Sequence, residues 1–122
     1  MVSSQSRIAS FQNALNGIAV FFKSQTNAKI ELVAALLVIL FGFYFDVSVI
    51  EWCLLIGAIA IVLMAEIFNS SIELLSDVVS PEHDERIKRI KDMAAGGVLI
   101  AASGSALLAA LIFVPKCINS CF

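Results

Sequence analysis

Charge is scarce in this chain. Only 15% of its 122 residues are Asp, Glu, Lys or Arg, 60% are hydrophobic, and the mean hydropathy is +0.95. That leaves too little polar surface for a soluble domain of this length and predicts a small polytopic membrane protein in one domain, residues 1–122. The three cysteines and one histidine give no zinc-site spacing. Cys53 reads as a small apolar filler, while Cys117 and Cys121, after the last apolar run, would pair only in an oxidising compartment. Gly96-Gly97 is not a phosphate loop, and nothing matches a Walker motif. Residues 1–10 are polar and contain no apolar leader segment, so the first span is expected to direct insertion itself. The net charge of −2 indicates no particular partner, and no nucleic-acid partner is expected.

What is present is three long apolar runs. They predict an all-α membrane protein with spans over about residues 30–50, 51–75 and 93–114, the last without a charge. Arg7, Lys23 and Lys29 precede the first span, and Arg86, Lys88, Arg89 and Lys91 lie between the second and third. The turn holding Asp46 and Glu51 has no cation, and only Lys116 follows the third span. Seven of eight cations therefore belong on the cytoplasmic side, which puts the N-terminus inside and the C-terminus outside. Ahead of the spans, Ile8, Phe11, Leu15, Ile18 and Phe22 recur at helical spacing, while Ser4, Gln5, Gln12, Asn13 and Asn16 supply much of the segment's polar character. This predicts an amphipathic helix over about residues 6–23, its apolar face suited to the membrane interface or to packing on the bundle.

The informative segment is AEIFNSSIELLSD, residues 65–77. At about 100° per residue, Glu66, Asn69, Glu73 and Asp77 fall within a stripe about 80° wide. Fourteen uncharged residues, 52–65, precede Glu66, so it lies inside the span or near its exit. A carboxylate there faces protein, water or a bound cation, because lipid excludes it at a cost of about 2.5–3.5 kcal/mol. A single structural contact between helices would not need three carboxylates and an amide. Between the spans, residues 80–92 hold four acids, four cations and the one histidine. A solvated mixed-charge helix accounts for most of these, and the remainder suit an anion. Lys91 and Asp92 stand at the mouth of the third span, on the side of Glu73 and Asp77, where a phosphate and a divalent cation would meet. Lys91 offers a point charge to phosphate, while carboxylates and water suit Mg²⁺. In the third span Gly96, Gly97, Ser103, Gly104 and Ser105 permit close helix packing or self-association.

The run AEIFNSSIELLSDVVS, followed by RIKDMAAGGVLI, resembles the prokaryotic diacylglycerol kinase family, which includes similar undecaprenol kinases. The likeness extends from about Phe11 to Val114. It implies a homotrimeric bundle in the bacterial inner membrane that transfers the γ-phosphoryl group of MgATP to a lipid hydroxyl. By resemblance, Glu66 is the general base with Asn69 beside it, Glu73 is a Mg²⁺ ligand, and Lys91 and Asp92 serve the nucleotide. Glu82, His83 and Asp84 align with a stretch that touches nucleotide, and Asp77 with a polar position nearby. Asn27, Glu31, Tyr44, Trp52 and Ala95 align with lipid-facing positions, as Glu66 does.

Gln25 stands where the better-known members carry a second metal-binding glutamate, and Ser6 and Asn13 replace an arginine and a tyrosine. Glu31 is placed to compensate for the first change and Arg7 for the missing arginine. The expected acceptor is diacylglycerol, with undecaprenol the alternative. An intramembrane proton or ion pathway would spread acids through the membrane's depth, whereas these gather at one end. A non-catalytic assembly subunit would explain the small residues of the third span but not the polar stripe.

Overall fold

The computed structural model describes residues 4–122, which form four helices and, among these residues, no strand: α1 (Ser4–Ser24), α2 (Thr26–Tyr44), α3 (Val49–Val79) and α4 (Glu85–Cys121). The chain is an all-α protein in which α2, α3 and α4 are each long and apolar enough to cross a membrane. At about 1.5 Å per residue α2 is close to the thickness of a hydrocarbon core, about 30 Å, while α3 and α4 exceed it by five or more turns combined. Much of the surplus carries the charged residues beside the α3–α4 loop, the end termed inner, with the α2–α3 turn at the end termed outer.

Local chemistry sets the boundaries. Only Gln25, in extended conformation, separates α1 from α2. The first span ends at Tyr44, earlier than hydropathy placed it, and residues 49 and 50 already belong to α3. Ser48 and Glu51 form a capping box: the Glu51 amide donates to Ser48 Oγ at 3.2 Å and the Ser48 amide to Glu51 Oε1 at 2.9 Å. Asp46 adopts a φ of 52°, which a short polar side chain tolerates, to complete the reversal. The inner loop is shorter than residues 80–92, because Asp84 caps α4 and the helix runs from Glu85 through the membrane without a break. Pro115 follows directly on the apolar run of residues 93–114, yet α4 continues through it to Cys121.

Packing is tightest at the outer end. Leu55, Val47, Ile112 and Phe113 form the buried cluster, with Phe45 and Trp52 against it. The six-membered ring of Trp52 lies against Gly42, where an added Cβ would sit 2.5 Å from the indole. Gly57, Gly96, Gly97 and Gly104 have no neighbour within 4 Å of such a Cβ, so close packing inside one protomer does not explain them. Two ion pairs fasten α3 to the antiparallel α4. Lys116 Nζ meets Glu51 Oε1 at 3.3 Å at the outer end, and Lys91 Nζ meets Asp77 Oδ1 at 2.7 Å at the inner end. Along either helix these pairs are about 38 Å apart. Between them Ser105 Oγ donates to the Ala58 carbonyl at 3.3 Å. Many large apolar side chains, including Leu36, Leu40, Ile61, Leu107 and Leu111, are exposed along the spans, the surface expected against lipid or another membrane helix.

Candidate active site

Counted from Val49, about 20 residues of α3 cross the hydrocarbon core, which brings Glu66 and Asn69 to its inner edge and Glu73 and Asp77 beyond it. The first two are half-buried and the last two exposed. Opposite Glu66 on α2 is Glu31, and the two carboxyls are neighbours. Two ionised carboxylates offer each other no donor. Glu31 Oε2 and Asn69 Oδ1 are both buried without a hydrogen-bond partner. An orphaned buried acceptor costs about 1–3 kcal/mol, so this end of the bundle is arranged to receive donors from outside itself.

Glu31 also heads a groove of about 170 Å³ between α2, α3 and α4. Its walls are Ala34, Ala35 and Val38 on one side and Ala58, Ile59 and Val62 on another, with Ser105 and Ala109 of α4 closing it. The alanines make the space and the branched side chains make it apolar. A hydroxyl-bearing head at Glu31 with a hydrocarbon tail below fits the chemistry of such a groove.

Beyond the membrane edge, the end of α3 and the start of α4 enclose a second cleft, about 400 Å³, lined by Asp77, Ser80, Glu82, His83, Asp84, Lys88, Lys91 and Asp92. The loop is braced locally: Ser80 Oγ donates to the Glu82 carbonyl at 3.1 Å, and Asp84 accepts the Arg86 amide at 2.8 Å. The Arg86 guanidinium also donates to both Asp84 oxygens, at 3.2 and 2.9 Å. Those side-chain bonds, then the amide bond, hold the Asp84 carboxyl down to about 2, while Arg86 is raised in turn. Lys88 Nζ lies 2.8 Å from Asp92 Oδ2, and His83 Nε2 lies 2.9 Å from Glu85 Oε1.

The structure thus brings together Glu31, Glu66 and the groove, and separately Asp77, Glu82, His83, Asp84, Lys91 and Asp92 around the cleft. Asn69 and Glu73 lie on the connecting stretch of α3. Gln25 and Asn27 sit at the α1–α2 corner, and Ala95 is exposed on α4. Tyr44 and Trp52 are not brought to the stripe, since they lie at the outer end, with Trp52 about 21 Å from Glu66 along α3. Sequence reasoning missed Lys88 and Ser80 as cleft residues. The i,i+4 pairing of Lys88 with Asp92 was the available signal for the first.

Among the described residues no three His, Cys, Asp or Glu side chains group to hold a metal ion. By donor chemistry alone, the exposed Glu73 carboxylate and the Gln25 amide, which makes no capping bond, are oxygen ligands of the kind a hard cation takes while it keeps waters and substrate oxygens in its shell.

A family model described as prokaryotic diacylglycerol kinase matches residues 12–113. The chain is 34% identical over 107 residues to an undecaprenol kinase of Bacillus subtilis, covering 88% of this chain and 87% of that protein. It is 41% identical over 71 residues to a diacylglycerol kinase of Escherichia coli K12, covering 58% of each. With a diacylglycerol kinase of Haemophilus influenzae it shares 31% identity over 94 residues, 77% of this chain and 80% of that one.

Proposed function

Because this chain belongs to the prokaryotic diacylglycerol kinase family and is a multi-pass membrane lipid kinase, we propose that it transfers the γ-phosphoryl group of MgATP to the hydroxyl of diacylglycerol. The observation that carries the proposal is the Glu31–Glu66 carboxyl pair, at the head of an apolar groove on the membrane side of a charged cleft. A lipid alcohol and a water-soluble phosphate donor would meet there and nowhere else along the bundle.

In this reading the lipid hydroxyl donates to Glu66, which takes its proton as the oxygen attacks the γ-phosphorus. The new O–P bond forms as the bond to the β-phosphate oxygen breaks, and ADP leaves. Asn69 lies one turn further along α3, beside the attacking hydroxyl. Glu31 fixes the head group beside Glu66. Lys91 faces the phosphates, while Asp77, Glu82, His83, Asp84 and Asp92 border the nucleotide. Glu73 and Gln25 would hold Mg²⁺, which when bound neutralises phosphate charge. Since catalysis of this kind is mainly positioning and charge stabilisation, an oxygen-rich stripe beside one lysine is a sufficient donor set.

The cleft and the N-terminus lie on the cytoplasmic face of the bacterial inner membrane, where ATP is available. The exposed apolar helix faces and the open glycines of α4 support assembly as a homotrimer, in which a neighbouring protomer would complete the site. Undecaprenol is the second reading of the acceptor. It is favoured by similarity over nearly the full length to the Bacillus subtilis protein.

The test is transfer of labelled γ-phosphate from MgATP to diacylglycerol and to undecaprenol, side by side, by purified protein in mixed micelles. Glu66→Gln should lower the rate about 10²–10⁴-fold while the helical fold is kept. Equal rates for wild type and variant would remove Glu66 from the chemistry. Label in neither lipid would refute both acceptors.

A further inference from the structure

We propose that Asp77 is a positioning residue, the resting counter-ion of Lys91, which nucleotide phosphate displaces. The inference rests on the lipid-kinase reading of the same site and assigns Asp77 a role other than holding the nucleotide. Lys91 Nζ is 2.7 Å from Asp77 Oδ1, a contact that joins α3 to α4 at the wall of the cleft. Lys91 is the more enclosed partner, its side chain 37% exposed against 65% for Asp77. On separation the carboxylate can turn to water while the ammonium stays facing the cleft.

The charge balance around the pair explains why an exchange is needed. Asp77, Glu82, Asp84 and Asp92 line the cleft against only Lys88 and Lys91. Lys88 is already bonded to Asp92 at 2.8 Å, and Arg86 to Asp84 at 2.9 Å. A polyphosphate therefore meets net negative charge, and Lys91 serves it only by leaving Asp77. The two states are close in energy, because a pair this exposed is weak: breaking it lowers nucleotide affinity no more than about fivefold. Asp77 also keeps the lysine stem along the cleft wall, a gain smaller than the ion pair that the incoming phosphate must break.

The experiment measures binding of Mg²⁺ with the non-transferable ATP analogue adenylyl imidodiphosphate to full-length protein in micelles, together with KM for ATP and kcat. Asp77→Asn should tighten analogue binding and lower the KM for ATP, both by about two- to fivefold. The gain should shrink as salt is raised, because it is electrostatic. In a Lys91→Met background the same change should give little or no gain. Asp77→Ser should behave like Asp77→Asn, which guards against a fold defect particular to one variant. Weaker binding in Asp77→Asn would make Asp77 a direct ligand of nucleotide or metal and overturn the proposal. So would unchanged binding with a lower melting temperature, the result expected of a purely structural clasp, or an undiminished gain in Lys91→Met, which would mean a general field effect. Absence of both analogue binding and phosphate transfer in wild type would overturn the kinase reading itself and this proposal with it.

Discussion

Substituting Gly42 by alanine probes the joint that sets α2 against α3. The new methyl would lie 2.5 Å from Trp52 Cη2 and 2.9 Å from Cζ2 and Cζ3, whereas carbon atoms rest at about 3.5–4.0 Å. The indole must retreat by about 1 Å, and Phe43, its ring centroid 4.9 Å away, stands next to it. Overpacking of this kind costs about 1–3 kcal/mol, and a collision with a rigid ring belongs at the upper end. Alanine returns about 1 kcal/mol of helix propensity over glycine, so the net loss should be about 1–2 kcal/mol. In a Trp52→Leu background the collision is gone and the same substitution should stabilise by about 0.5–1 kcal/mol. Denaturant titration in micelles across the four variants measures this sign change as a coupling energy. Trp52 is the one tryptophan, so its emission reports the ring's displacement directly. Gly42→Ala changing stability with the same sign in both backgrounds, or leaving the emission untouched, would refute the packing argument. The joint also bears on chemistry, because α2 carries Glu31. A shift of about 1 Å at Glu66 would lower turnover by as much as 10²-fold without touching either carboxyl.

Three further measurements address other parts of the fold. Ser48→Ala removes half of the capping box and should cost about 1 kcal/mol, with faster amide exchange in the first turn of α3; unchanged exchange there would assign the turn's geometry to Asp46 alone. Ser105→Ala deletes the bond to the Ala58 carbonyl and should cost about 0.6 kcal/mol, read by the same titration. Asp84 is held at about 2 against an ordinary 3.8, so its contribution is complete above the ordinary value and is lost as pH falls towards the folded one. The first turn of α4 should fray across that window, and Asp84→Asn should abolish the pH dependence of the protection factors at Ile87 and Lys88, taken relative to the intrinsic exchange rates.

Much of the architecture was legible because hydrophobic length and helical periodicity are properties of single helices. The three apolar runs, the amphipathic first helix and the α3 stripe needed no partner to be seen. Helix ends were less legible when hydropathy alone was used: Val49 and Ile50 read as part of the first span, although the S-x-x-E pattern at Ser48 and Glu51 marks a new start. Pro115 illustrates a different difficulty, since a proline signals a break locally but the outer end of α4 is also tied to α3 through Lys116. The contact of Glu31 with Glu66 depends on how two helices cross, and the pairing of Lys91 with Asp77 on how α4 returns along α3. No periodicity within one segment encodes either.

That division between local and crossing geometry matters for function. The apolar cluster of Leu55 and Phe113, the Gly42–Trp52 contact and the Glu51–Lys116 pair all lie at the outer end, away from the candidate chemistry. At the inner end the side chains left short of partners are acceptors, Glu31 Oε2 and Asn69 Oδ1, at a combined cost of about 2–6 kcal/mol. A protein of marginal stability carries such a cost only if packing elsewhere offsets it. Reversing the arrangement, with a tight inner end and a loose outer one, would satisfy these acceptors internally and leave nothing for a hydroxyl to bind. The packed Gly42–Trp52 joint therefore does more than hold the helices together: it offsets the cost of leaving the opposite end under-bonded, the end that the proposed lipid-kinase chemistry would need open.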